Sequence, residues 1–179
     1  MQELVQITEK DFDIILDLRY STNRNITGKP FSENSICYLH KDAIAPFKKA
    51  ITSAKNSGYK FKIWDCYRSF EMQKRAFNWN QKNYPNSIIF SHPKTGLCTH
   101  CRGIAIDLTL VCKDGKELNM GTDFDDLTEK AYTIYNGISD EIKANRLILK
   151  KIMEDAGFVS IKNEWWHFNL PNPANYRII

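Results

Sequence analysis

The sequence predicts an α+β fold, a single small domain over residues 1–179 with a mainly antiparallel sheet flanked by helices. Three observations carry this. Two segments alternate apolar and polar residues as strands do, at 59–66 and 103–111. Three others repeat apolar residues at helical spacing between cap signals. No regular strand-helix-strand rhythm joins them, which argues against a parallel doubly wound sheet.

The elements follow in order. In "KDAIAPFKKAITSAKNSG" (41–58), Ala43, Phe47, Ala50, Ile51 and Ala54 fall on one helical face. Pro46 is tolerable there only near the first turn, and Gly58 is placed to end the run. "YKFKIWDC" is rich in aromatic and β-branched residues and reads as a strand ending at Asp65. "SFEMQKRAFNWNQK" reads as a helix opened by Ser69 as N-cap. "GIAIDLTLV" puts Ile104, Ile106, Leu108 and Leu110 on one face and Ala105, Asp107 and Thr109 on the other. "SDEIKANRLILKKIMEDAG" has Ser139 as N-cap, acids in the first turn, Ile142, Leu149, Ile152 and Met153 on one side, and Gly157 as the stop. "FVSIKNEWWHFNL" gives two short strand-like runs around Lys162 and Asn163, a predicted hairpin.

Composition narrows the function classes. With 42% hydrophobic and 26% charged residues and no apolar run near the roughly 18 residues needed to span a bilayer, a membrane protein is not expected. The start, "MQELVQITEKDFDIILDLRY", lacks a basic region followed by an apolar core, so export is not expected either. Five cysteines, an odd number, read as thiols in a reducing cytoplasm. The 25 basic and 21 acidic residues are scattered, without the basic patch that nucleic-acid binding requires. Nothing in the sequence sets an oligomeric state.

Chemistry concentrates in "CTHCRGIAID" (98–107). A redox dithiol would want a helix after the C-x-x-C, but a strand pattern follows. A structural zinc knuckle would want a second pair, and none exists. A thiol nucleophile paired with His100 would need two loop neighbours to reach each other's reactive atoms. The fourth reading is half of a catalytic metal site, in which three protein ligands leave one position open. His100 and Asp107 could supply two ligands if the chain turns at Arg102-Gly103, and His167 the third. Glu164, in "EWWH", could act as general base, provided the backbone bends, because residues three apart on a strand face opposite ways. Trp165 and Trp166 would wall such a site or simply fill the core. Arg68, after the 59–66 strand, could steady charge on a carbonyl oxygen or lie on the surface.

These residues also resemble a known family. "CTHCRGIAIDLTL" is similar to the S-x-H-S-R-G-x-A-x-D-L-T-L signature of the D-alanyl-D-alanine dipeptidases of the VanX type, within the zinc D,D-peptidases of family M15. The likeness runs through "DLRYSTNRNITGKP", "WDCYRS", "MGTDFDD", "NRLILKKIMEDAGF" and "EWWHF". The resemblance implies one Zn2+ per chain on His100, Asp107 and His167, with Glu164 as catalytic base and Arg68 stabilising the tetrahedral intermediate. It places Tyr20 and Asp125 at the substrate's ammonium and Cys98 at its carboxylate. It further implies a small α+β domain acting on the D-Ala-D-Ala dipeptide in the cytoplasm. Cys98 and Cys101 stand where the family has serines, and Ser69 where it has proline. A thiol is larger and a poorer donor than a hydroxyl, so substrate preference is where a difference is expected. A D,D-carboxypeptidase acting on longer wall peptides and a non-catalytic zinc-binding module are the alternatives. The presence of Glu164 and Arg68 argues against the module.

Overall fold

The computed structural model describes residues 3–31, 36–85 and 89–179. The elements in chain order are β1 (Leu4–Ile7), α1 (Glu9–Phe12), β2 (Ile15–Leu16), β3 (Cys37–His40), α2 (Lys41–Asn56), β4 (Tyr59–Asp65), α3 (Phe70–Asn83), β5 (Ala105–Cys112), α4 (Asp140–Ala156), β6 (Val159–Ser160) and β7 (His167–Asn169). Five strands form one sheet in the order β2-β4-β5-β7-β6, and β1 pairs with β3 in a separate two-stranded ribbon. All pairs but β2-β4 are antiparallel, so the predicted α+β class with a mainly antiparallel sheet holds.

The alternating runs form the centre because both faces of β5 are covered. Ile104, Ile106, Leu108 and Leu110 are fully buried, and so are Asp107 and Thr109 across the pleat. The face named as polar is therefore an interior wall. Helix α2 lies against β4 and α4, with Phe47, Ala50, Leu149 and Met153 wholly inaccessible. Of these, Phe47, Leu149 and Met153 each stabilise by roughly 1.5–3 kcal/mol, enough to order the helices from one face alone.

The caps fall where the sequence places them. The Ser69 and Ser139 hydroxyls accept from the Met72 and Ile142 amides, and Gly157 closes α4 at φ 110°. Pro46 departs from expectation: it is the sixth residue of α2, past the first turn. The missing amide removes one helical bond, yet burial of Ala43, Phe47, Ala50 and Ala54 holds the helix through it. The ribbon β1-β3 and the edge strand β2 are absent from the sequence reading, being two to four residues long with partners far along the chain.

One irregularity matters for chemistry. From Tyr59 to Ile63 the pairs with β5 run in regular register, but Asp65 pairs with Asp107 after a one-residue shift. Without this bulge Asp65 would share the Ile63 face. The bulge turns it onto the Asp107 face. On the other side of β5, His167 of β7 stands opposite Asp107. Asp65, Asp107 and His167 thus form a row across three strands.

Candidate active site

His100 reaches this row from a 3-10 turn at His100–Arg102, which ends at Gly103 with φ 68°. A Cβ at Gly103 would lie 2.6 Å from Leu4 Cδ2 and 3.2 Å from the His40 amide nitrogen, so only glycine fits the turn expected at Arg102-Gly103. His167 Nδ1 lies 2.9 Å from Asp107 Oδ1, His100 Nε2 is 3.3 Å from Asp107 Oδ2, and the two nitrogens are 3.1 Å apart. Tetrahedral zinc with bonds of about 2.0–2.1 Å needs donor atoms roughly 3.3 Å from one another. The donor set fits that ion in number, chemistry and spacing.

Burial alone would raise the Asp107 carboxyl, but the His100 and His167 rings outweigh it and hold it well below the usual carboxylate range. His100 moves up: burial pulls it down, and the Asp107 charge overcomes that.

Glu164 precedes β7 rather than lying in it, with the His167 amide donating to the Glu164 carbonyl at 3.3 Å. This turn supplies the bend the pair requires. The Glu164 carboxylate comes to 3.9 Å from His167 Nδ1, with 23% of its side chain exposed. Burial pushes its pKa up to about 7; His167 opposes that, while Asp107 and Asp125 reinforce it. Trp166 lines the cavity and Trp165 packs in the core, where its indole donates to Thr122 Oγ1.

Arg68 is buried and held on several sides. Its Nε and Nη2 donate to Asp65 Oδ2 at 3.2 and 2.6 Å, and its Nη1 donates to Gln73 Oε1 at 2.7 Å. The Tyr20 and Phe90 rings lie 4.8 and 5.2 Å from the guanidinium carbon. A guanidinium has five N–H donors. Five less these three leaves two, one each on Nη1 and Nη2.

Asp125 adopts φ 62°, accepts the Tyr20 hydroxyl at 2.8 Å and the Ile26 amide at 3.3 Å, and is raised to about 7 by burial, against the pull of those two bonds. Cys98 is buried at φ 45°, and its thiol donates to the His92 carbonyl at 3.3 Å. A hydrogen bond with Cys101 lowers the Cys98 thiol to about 7, opposed by burial and assisted by Arg102 and Arg68. All five cysteines are free thiols.

The structure brings all eight residues singled out from the sequence, Tyr20, Arg68, Cys98, His100, Asp107, Asp125, Glu164 and His167, onto one cavity of about 160 Å³. Sequence reasoning missed Asp65, Gln73, Thr99 and Asn169, all close to those side chains. Asp65 was within sight, inside "WDCYRS" three residues before Arg68. The others carry no local signal.

The family model described as D-ala-D-ala dipeptidase, of the M15 peptidases, matches residues 1–178. A D-alanyl-D-alanine dipeptidase of Escherichia coli (strain K12) is 38% identical over 177 residues, covering 99% of this chain and 89% of that protein. Another, of Enterococcus faecalis (strain ATCC 700802 / V583), is 34% identical over 180 residues and covers 89% of each chain. The solved structure of the LdcB LD-carboxypeptidase superposes with a TM-score of 0.52 at 18% identity, over 95% of this chain and 68% of that one, a likeness of fold.

Proposed function

The chain belongs to the D-Ala-D-Ala dipeptidase family of the M15 peptidases, and from that premise we propose that it is a zinc metallopeptidase hydrolysing free D-alanyl-D-alanine to two D-alanines. The observation that carries the reading is the His100, Asp107 and His167 triplet, whose ligand atoms lie within 4.8 Å of one another on the wall of a small cavity that also holds Glu164 and Arg68.

In this reading His100, Asp107 and His167 hold one zinc ion, which when bound supplies Lewis acidity and an activated water. Glu164 takes the proton of the attacking water and returns it to the leaving amine. Burial raises this carboxyl in the metal-free protein, in the direction that favours returning a proton after accepting one. The two uncommitted N–H groups of Arg68 meet the carbonyl oxygen as it gains charge. Asp65, Gln73, Tyr20 and Phe90 already fix the guanidinium, so little reorganisation is needed during reaction.

Asp125, supported by Tyr20, receives the substrate's ammonium. A peptide extended at its amino end would bring an uncharged amide there and leave the carboxylate buried without its cation. Cys98 lies where the substrate carboxylate is expected; its single S–H, held by the His92 carbonyl, would have to turn to reach it and is a weaker donor than a serine hydroxyl. The single domain spans 1–179. We assign the protein to the cytoplasm on its five free thiols. Among the described residues no helix is long and apolar enough to cross a membrane.

The test is zinc content together with D-Ala-D-Ala hydrolysis, with and without chelator, and with a tripeptide ending in D-Ala-D-Ala for comparison. One zinc per chain, chelator-sensitive dipeptide hydrolysis and a much slower tripeptide are expected. Equal rates on the two peptides would replace the dipeptidase reading by a D,D-carboxypeptidase.

A further inference from the structure

We propose that Asn169 is a positioning residue for the metal site: its side-chain oxygen accepts the Nε2 proton of His167 and so presents Nδ1 to the cation as a bare lone pair. The inference rests on the reading of His100, Asp107 and His167 as zinc ligands.

The argument begins with strand geometry. Asn169 lies two residues after His167 on β7, so both side chains leave the same face. Asn169 stands opposite Ala105, as His167 stands opposite Asp107, and the small methyl of Ala105 leaves the amide room. Asn169 is itself 5% exposed, so its polar atoms must find partners within the protein.

Those partners decide which way the amide points. Asn169 Nδ2 donates to the Leu170 carbonyl at 2.7 Å, which turns Oδ1 toward His167 Nε2 at 3.3 Å. A flipped amide would set its oxygen against the Leu170 carbonyl and lose that bond. The other ring nitrogen, Nδ1, faces the Asp107 carboxylate at 2.9 Å; once a cation takes Nδ1, Nε2 is left to carry the ring's proton, and Asn169 Oδ1, which can only accept, receives its hydrogen bond. The Thr99 hydroxyl, 3.4 Å from the same nitrogen, is a weaker second partner that can turn to accept as well.

His100 is fixed in the opposite sense. Its Nδ1 lies 2.6 Å from the Cys66 carbonyl, which also only accepts, so Nε2, 3.3 Å from Asp107, is the nitrogen left to meet the cation. The two rings thus turn Nδ1 of His167 and Nε2 of His100, 3.1 Å apart, toward the Asp107 carboxylate. A cation bound there takes the lone pairs of both nitrogens, and the outer acceptors, Asn169 Oδ1 and the Cys66 carbonyl, hold each ring's remaining N–H. Losing the outer partner of a metal-bound histidine typically costs about 10- to 100-fold in metal affinity.

The experiment measures zinc dissociation constants by competition with a chromogenic chelator for the wild type, Asn169→Leu, Asn169→Asp and His167→Ala, with melting of each metal-free protein as the fold control. Asn169→Leu keeps the approximate shape without an acceptor and should bind zinc about 10- to 100-fold more weakly. Asn169→Asp supplies a stronger acceptor and should bind zinc at least as tightly as the wild type, which a merely structural role for the amide would not produce. Wild-type affinity in Asn169→Leu, or equal weakening in Leu and Asp variants, overturns the proposal. His167→Ala should lose stoichiometric zinc. If it retains wild-type affinity, the ligand reading fails whatever the Asn169 variants do.

Discussion

Replacing Asp125 by asparagine tests how the substrate ammonium is gripped. With a carboxyl near 7, Asp125 is charged in roughly one molecule in eleven at pH 6 and ten in eleven at pH 8, a factor of about 10. The dipeptide's own α-amino group loses its charge above about 7.7–8. The wild-type kcat/KM should therefore rise on account of this carboxyl by about tenfold from pH 6 toward 8 and then turn over. In Asp125→Asn that contribution disappears, and a charge-assisted hydrogen bond of ~1.5–3 kcal/mol goes with it, a loss of about 10- to 100-fold at pH 7.5. Stability should move the other way. Because burial lifts this carboxyl from 3.8 in the unfolded chain to about 7, the native state binds the proton more tightly. The penalty is absent below pH 4, grows as pH rises through 7, and is on the order of 4 kcal/mol above it. Asp125→Asn removes that penalty, and its amide oxygen can still accept from Tyr20, so at pH 8 it should melt no lower than the wild type. The assays are a pH profile of kcat/KM on D-Ala-D-Ala and thermal melts at pH 6 and 8. An unchanged acid limb with activity within twofold of wild type would refute the reasoning, as would parallel losses of activity and melting temperature.

Glu164→Ala should keep its zinc and lose hydrolysis by orders of magnitude, and near-native turnover in that variant would remove Glu164 from the base role. Gln73→Met deletes the acceptor on Arg68 Nη1 and the donor to the Ser91 carbonyl while keeping the side chain's length. It should lower kcat by about tenfold, less than the ~10²- to 10³-fold cost of deleting an oxyanion donor outright, with KM and zinc content little changed. A raised KM at unchanged kcat would assign Gln73 to substrate binding instead.

Most of the helices and the two long strands were legible because their signals are local. A hydroxyl before an apolar repeat, a glycine after it, and alternation over seven or eight residues all act between neighbours in the chain. The short ribbon β1-β3 was not legible, since Leu4–Ile7 becomes a strand only by pairing with Cys37–His40. Site residues divide in the same way. His100, Asp107, Glu164 and His167 stood out by their chemistry and by motif resemblance. Gln73 and Asn169 are ordinary amides in sequence, and their partners are set by helix and strand packing.

By itself the sequence determined the α+β class, the ends of the three long helices and the set of side chains able to perform metal-assisted hydrolysis. Only the tertiary structure decided how they meet. The β4 bulge turns Asp65 toward Arg68 and His100, and the turn before β7 brings Glu164 to the His167 side. Gly103 lets His100 approach Asp107, and the β5-β7 register sets His167 across from it. The physical reason is that a side chain's type is fixed by its codon, whereas its direction depends on strand register. A slip of one residue against a partner sixty positions away would turn every one of that strand's side chains to the other face.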